Sequence, residues 1–409
     1  MSEDNKILWK INDMPKSSES EKTELIQFLN NDEISKSKKF HESFPQYKPT
    51  PLVELNGLAD KIGVKNIFLK DESYRFGLNA FKVLGGSFAM AKFLAQKLGK
   101  DIADMPYDVL ISDEVRKEIG DFTFVTATDG NHGRGVAWTA NQLKQNAVVY
   151  MPTGSSETRL KNILAEGANA EIMKNANYDA CVRLADDFQK ENPESSVVVQ
   201  DTAWEGYEEI PAWIMQGYGT MAMEAIESLK NKGVEKPTHI FLQAGVGSLA
   251  AAVQGLFAAI YGDDGPIVTI VEPHLANCFY VSALAGERKI VGGDMLTLMA
   301  GLACGEPNTT GWEIIKNYST GFVSCPDTLS ANGMRILAAP TNGDTVVKSG
   351  ESGAVTTGVV YEIMTNDEYK DLRAALKLDE NSVVLLFSTE GDTDPQIYED
   401  VVWKGRNKR

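Results

Sequence analysis

The chain has only four cysteines, Cys181, Cys278, Cys304 and Cys325, widely spaced and with no Cys-x-x-Cys pair. That spacing speaks against a structural zinc site or any other metal cluster, and against a disulfide scaffold. Cys278 and Cys304 stand near enough in sequence to pair, but reduced thiols are the expectation for a cytoplasmic enzyme. Long apolar runs are missing too. None reaches the roughly 18 residues that a membrane-crossing helix needs. The opening stretch "MSEDNKILWKINDMPKSSESEK" is polar, of mixed charge, and lacks the apolar segment of a secretory signal. An excess of basic charge is also absent. Lys and Arg number 40 against 57 Asp and Glu, for a net charge of −17. Nucleic-acid binders normally present a basic face, so that class is disfavoured. The expectation is a cytoplasmic protein with no nucleic-acid partner and no membrane contact.

What is present is ordinary globular material, 43% apolar and 24% charged, over 409 residues, enough for two or three domain-sized units. Residues 1–48 read as a polar extension with short helices. Leu84, Phe88, Ala91, Ala95 and Leu98 recur at helical spacing and mark an amphipathic helix. From "FTFVTAT" onward, strand and helix patterns alternate through "NAVVYMP", "SSETRLKNILAEG", "AEIMK" and "SVVVQDT". Ser155 is the expected cap of the "SSETRLKNILAEG" helix. Such a β-α-β-α-β-α-β run predicts a parallel sheet wrapped by helices. A second run includes "THIFLQA", "SLAAAVQGLFAAIYG", "PIVTIVEP" and "NSVVLLFSTEGD". The predicted fold class is α/β with two doubly wound domains. The larger spans residues 49–114 and 206–409, and the smaller spans 115–205.

Ligands in such sheets sit beyond the carboxyl ends of the strands, where three polar turns stand: "TDGNHG", "AGVGSLA" and "STEGD". In "AGVGSLA", Gly245, Gly247 and Ala250 satisfy G-x-G-x-x-A, and Glu272 closes the following strand where a dinucleotide site wants a carboxylate. The underlying physics is generic: small residues bring backbone N–H groups to a phosphate at a helix start. A phosphate site is expected there, of a dinucleotide or of something smaller. In "TDGNHGRG", Asp129, Asn131 and His132 stand at a strand-to-helix turn. His132 is read as structural. Asp201 ends the strand "SVVVQ". "LNAFKVLGG" sets Lys82 in an apolar stretch at a helix start, where the helix dipole and partial burial both disfavour the cation. Such an amine suits attack on a carbonyl. A reactive lysine with a phosphate turn fits pyridoxal 5′-phosphate, which offers an aldehyde to one and a phosphate to the other. A nicotinamide cofactor would leave Lys82 unexplained.

The motifs "KDESYRFGLNAFKVLGG", "TATDGNHGRGVAW", "QDTAWEGYEEIPAWIMQGYGTMAMEA", "QAGVGSLAA" and "GESGAVTTG" follow one another in order. Over roughly residues 48–400 the chain resembles the pyridoxal-phosphate enzymes of fold type II, the group of tryptophan synthase β and threonine dehydratase. Within that group it is similar to the diaminopropionate ammonia-lyase family. The resemblance implies a homodimeric lyase with the cofactor between the two domains, eliminating ammonia from D- and L-2,3-diaminopropionate to give pyruvate and two ammonia. It implies Lys82 as the lysine bonded to the cofactor, Asn131 at the 3′-oxygen, and Gly245, Val246, Gly247, Ser248 and Leu249 at the phosphate. Ser388, or its neighbour Thr389, would meet the pyridine nitrogen, and Glu351 would lie in a turn near the ring. Serine and threonine dehydratases carry a serine before the Gly-Asn-His of their turn, where this chain has Asp129. A carboxylate there suits a substrate with a second ammonium group. It can also act as base on the face opposite Lys82. Asp201 matches a second acid of the family, placed to orient the β-amino group or share the base role. Competing expectations are a serine/threonine dehydratase, a nicotinamide-dependent oxidoreductase resting on the glycine motif, and a non-catalytic ligand sensor.

Overall fold

In chain order the strands are β1 (Leu8–Ile11), β2 (Leu52–Glu54), β3 (Asn66–Asp71), β4 (Thr123–Ala127), β5 (Asn146–Met151), β6 (Asn169–Ile172), β7 (Ser196–Val198), β8 (His239–Gln243), β9 (Ile267–Pro273), β10 (Gly321–Cys325) and β11 (Val383–Ser388). They come from a computed structural model that describes residues 5–408 apart from Asp129 and Glu205, and only the backbone of Asp179. Contacts gather the chain into two units. One holds the residues up to Asn31, Pro49–Tyr74 and everything from Met221 onward; the other holds Asp32–Lys48 and Arg75–Thr220. Residues 75–114 and 206–220, which the sequence reading gave to the larger domain, thus group with the smaller sheet.

The first unit carries a seven-stranded sheet in the order β1-β10-β9-β8-β11-β3-β2. Its interior pairs are parallel, and the two edges, β1 on β10 and β2 on β3, are antiparallel. Every residue of β8, β10 and β11 is buried, so these strands read as continuous runs rather than alternations. β1 lies inside the stretch expected to be a helical extension. It is four residues long with Leu8 and Trp9 partly exposed, a pattern too short and too wet to announce a strand. The core joins Leu69, Phe241, Val271, Val323 and Leu386 from the sheet to Leu329 and Met334 from the Asp327–Ala338 helix and Val355 and Val359 from the Glu351–Thr365 helix. Each such side chain contributes about 1.5–3 kcal/mol on burial. A lysine is buried here as well. Lys70 of β3 donates to Glu224 Oε2 at 2.6 Å and to Thr50 O at 2.7 Å.

The second unit carries a four-stranded, wholly parallel sheet in the order β6-β5-β4-β7. Its connections are the helices Asn131–Gln142, Glu157–Ala165 and Tyr178–Glu191, as the alternation predicts. Val125 and Val198 pack on Ala185 with Phe188 and Tyr150 alongside. Ser156, not Ser155, takes the cap position of the Glu157–Ala165 helix.

Candidate active site

Lys82 is the residue just before the Val83–Lys97 helix. No glycine turn follows it: Gly85 and Gly86 are inside the helix. Their smallness serves packing. A Cβ on Gly85 would lie 2.5 Å from the Tyr218 ring and 2.6 Å from Ile214, and one on Gly217 would lie 2.3 Å from Leu84 O. The Lys82 helix therefore crosses residues 209–220 at backbone contact. Lys82 keeps 21% of its side chain exposed. Its Nζ donates to Asp201 Oδ2 and lies 5.5 Å and 5.9 Å from the ring centres of Phe81 and Tyr218. Tyr218 Oη donates to the same carboxylate at 3.4 Å.

Asp201 is buried, and burial alone would raise its carboxyl. The Lys82 ammonium beside it outweighs that and holds it at about 2. Burial pushes the Tyr218 hydroxyl well up, so it stays a neutral donor. Neither Phe81 nor Tyr218 was singled out from sequence. Aromatic residues at helical spacing give no signal that distinguishes a site wall from a core.

Asn131 opens the Asn131–Gln142 helix, behind Gly130. Asp129 lies outside the described residues. His132 Nε2 donates to Val199 O at 2.8 Å.

In the first unit, β8 runs into Ala244–Gly247 and then the Ser248–Tyr261 helix. Gly247 has φ +92°, and a Cβ there would lie 2.2 Å from the Phe279 ring, so the position demands glycine on two counts. No side chain caps this helix at Gly247. Asn308 fixes the loop from behind: its N–H donates to Val246 O at 2.8 Å, and its Nδ2 donates to Ser248 Oγ at 3.2 Å. Leu249 is buried behind the turn.

Glu272, placed by the sequence where a ribose carboxylate would stand, is already engaged. Both its oxygens accept backbone N–H groups, of Phe279 and Tyr280, each at 2.8 Å. Burial nevertheless pushes its carboxyl up to about 8. A carboxyl so enclosed is a helix cap, not a ribose partner. The fingerprint's phosphate half survives here and its ribose half does not.

Ser388 ends β11 and Thr389 follows it. Ser388 Oγ donates to Ser349 Oγ at 2.8 Å, and Thr389 Oγ1 accepts from Gln243 Nε2 at 3.1 Å. Glu351 is buried and is the first residue of a helix rather than part of a turn. A Cβ on Gly353, two residues on, would lie 3.0 Å from Thr389 N. Glu351, Ser388, Thr389 and the end of β8 thus belong to one constellation in the first unit; Lys82, Asp201 and Tyr218 form another in the second. All four cysteines are free thiols.

The residues present fit pyridoxal phosphate. The left-handed glycine at an uncapped helix start offers N–H groups to a phosphate, Lys82 offers a primary amine, and Ser388 and Thr389 offer neutral hydroxyls. Comparison with known proteins agrees. Residues 44–389 match the family model described as pyridoxal-phosphate dependent enzyme. A diaminopropionate ammonia-lyase from Salmonella typhimurium is 53% identical over 371 residues, covering 90% of this chain and 91% of the relative. The crystal structure of selenomethionine-incorporated holo diaminopropionate ammonia lyase from Escherichia coli matches with a TM-score of 0.90 at 45% identity, covering 99% of this chain and 98% of the other. The Escherichia coli enzyme in complex with an aminoacrylate-PLP azomethine reaction intermediate matches with a TM-score of 0.88 at 44% identity, over 99% and 98% of the two chains.

Proposed function

We propose that this chain, which belongs to the pyridoxal-phosphate dependent enzymes and within them to the diaminopropionate ammonia-lyases, eliminates the β-amino group of 2,3-diaminopropionate. One substrate and one water give pyruvate and two ammonia. Bound pyridoxal phosphate supplies the electron sink that makes an amino acid's Cα proton removable.

The chain's own residues do the rest. Lys82 holds the cofactor through its amine; Gly245, Val246, Gly247, Ser248 and Leu249 hold its phosphate. Asn131 serves the 3′-oxygen, Glu351 the ring, and Ser388 with Thr389 the ring nitrogen. Lys82 takes the Cα proton of the L-isomer and Asp129 that of the D-isomer. Asp201 orients the β-ammonium or shares the base role. The observation that carries the reading is the Lys82–Asp201 contact. A carboxylate held at about 2 is a poor base. Once Lys82 loses its charge, the strongest influence holding Asp201 down is gone, burial is opposed only by His132 and the residue's own backbone, and the carboxyl moves up from about 2. The same lysine therefore governs when its neighbour can accept a proton.

The reading includes a cytoplasmic homodimer, which light scattering of the loaded chain checks. No helix among the described residues is long and apolar enough to cross a membrane. The direct test is pyruvate release from D- and L-diaminopropionate beside L-serine, together with visible absorbance of the loaded chain. Both diaminopropionate isomers should be turned over well ahead of serine, and Lys82→Ala should lose both colour and turnover. A colourless chain that binds NADH, or a chain that much prefers serine, would sink the proposal.

A further inference from the structure

The last residue of β4 is satisfied by a side chain rather than by a strand. β7 pairs with β4 through Val125↔Val198, and Val199 N–H donates to Val125 O at 2.8 Å. Continuing that parallel ladder would give Ala127 N–H to the carbonyl of residue 199, and Ala127 O the N–H of residue 201. Val199 O accepts from His132 instead, and Gln200 turns its amide into the gap. Ala127 N–H donates to Gln200 Oε1 at 3.1 Å, and Gln200 Nε2 donates to Ala127 O at 3.1 Å. Thr126 Oγ1 donates to the same Oε1 at 2.9 Å, and Nε2 donates to the Tyr178 hydroxyl.

A primary amide has two donors and one oxygen with two lone pairs. All four are used, in a side chain 1% exposed. The amide stands in for main chain. It keeps β4 satisfied to its end while releasing the backbone of β7 from the sheet one residue before Asp201, which then reaches Lys82. On the other side it holds Ala127, from which the chain leads through Thr128 to Asp129 and Asn131.

We infer that Gln200 is a positioning residue. It ties the backbone before Asp201 to the end of β4, and so holds the Asp201 carboxylate toward Lys82 without touching substrate. This rests on the elimination reading above. Glutamate at 200 would turn a second acceptor toward Ala127 O, and leucine would leave both polar groups of Ala127 buried and unmet.

The test uses the loaded enzyme carrying Gln200→Leu or Gln200→Glu. Each should keep the visible absorbance and lose about 10²-fold in kcat with KM little changed, as misplacement rather than lost binding dictates. Hydrogen exchange should rise in peptides covering 123–131 and stay unchanged in those covering β8 and β9. Thr126→Val removes a single bond from the same amide. It should show a smaller loss in the same direction, and it decides the matter if the position-200 variants do not fold. Wild-type kcat in Gln200→Leu overturns the inference. So does a loss of kcat accompanied by loss of absorbance and raised exchange throughout, which would make Gln200 a stability residue. A wild-type chain without turnover would instead sink the elimination reading, and the exchange arm would still decide whether the tether exists.

Discussion

Replacing Lys82 by alanine should remove much of the stability that the fold gains from an ionised Asp201. In the cofactor-free wild type, Asp201 sits at about 2 against an ordinary 3.8. At 1.36 kcal/mol per pH unit that difference is worth about 2 kcal/mol. The folded-state value is depressed, so this stabilisation is fully present above pH 3.8 and is lost as pH falls toward 2. In Lys82→Ala the cation is gone, burial is opposed only by His132 and by Asp201's own backbone, and the folded-state value moves up from about 2. The stability that the depressed value supplies above pH 3.8 is then diminished. Breaking a buried pair costs about 3–5 kcal/mol, and the low end applies to a lysine that is not fully enclosed. The wild type should therefore exceed Lys82→Ala by about 3 kcal/mol at pH 7.5, with the gap closing as pH falls through the variant's own carboxyl range toward 2. Tyr218, kept neutral by burial, adds nothing across this window. Lys82→Ala/Asp201→Asn should recover most of the loss, and comparison with Asp201→Asn alone removes any share from neighbouring His132. Urea midpoints of the cofactor-free proteins from pH 2.5 to 7.5 give the answer. A gap that does not change with pH, or a double variant no more stable than Lys82→Ala, would refute the pairing.

Three further outcomes are expected. Asp129→Asn should lower kcat/KM for D-diaminopropionate at least about tenfold more than for the L-isomer, the scale of a lost general base; equal losses would dissolve that division of roles. Gly217→Ala places a Cβ 2.3 Å from Leu84 O and 2.7 Å from Gly85 Cα. Such overpacking costs about 1–3 kcal/mol and pushes the start of the Lys82 helix, so Tm and kcat should fall together. Glu272 has a raised folded value, about 8 against 4.5, so its contribution is fullest below pH 4.5 and is lost as pH rises through 8. The stability of the wild type relative to Glu272→Gln should therefore decline between pH 5 and 8, and a constant difference in urea midpoint would show that Glu272 is ionised throughout.

The parts of the fold that could be read from sequence are those whose periodicity is local. β4 to β7 and their helices alternate over about 80 residues, each element marked by its own apolar spacing. Turns with a glycine that only glycine can occupy were readable for the same reason: Gly247 announces its backbone by its own lack of a side chain. β10, with the sequence "GFVSC", was not readable, because a short strand buried on both faces shows no alternation, and β1 owes its existence to β10.

The site divides along the same line. Lys82, the glycine turn and the acids after β4 and β7 stand at strand ends or helix starts, places the chain marks locally. Their partners do not. Lys70 is buried because Glu224 stands 154 residues away to receive it, and Lys82 meets Asp201 across 119. Gln200 is the sharpest instance. Directly before an acid at a strand end, a glutamine reads as ordinary turn material. Its importance comes from two main-chain groups of Ala127, 73 residues earlier, that the sheet leaves for it. Burying a polar side chain is costly unless every bond is made, and whether the bonds are made depends on residues that only the fold brings near. A buried amide that completes a strand therefore leaves no mark in its own neighbourhood of the sequence, although it sets where the neighbouring carboxylate points.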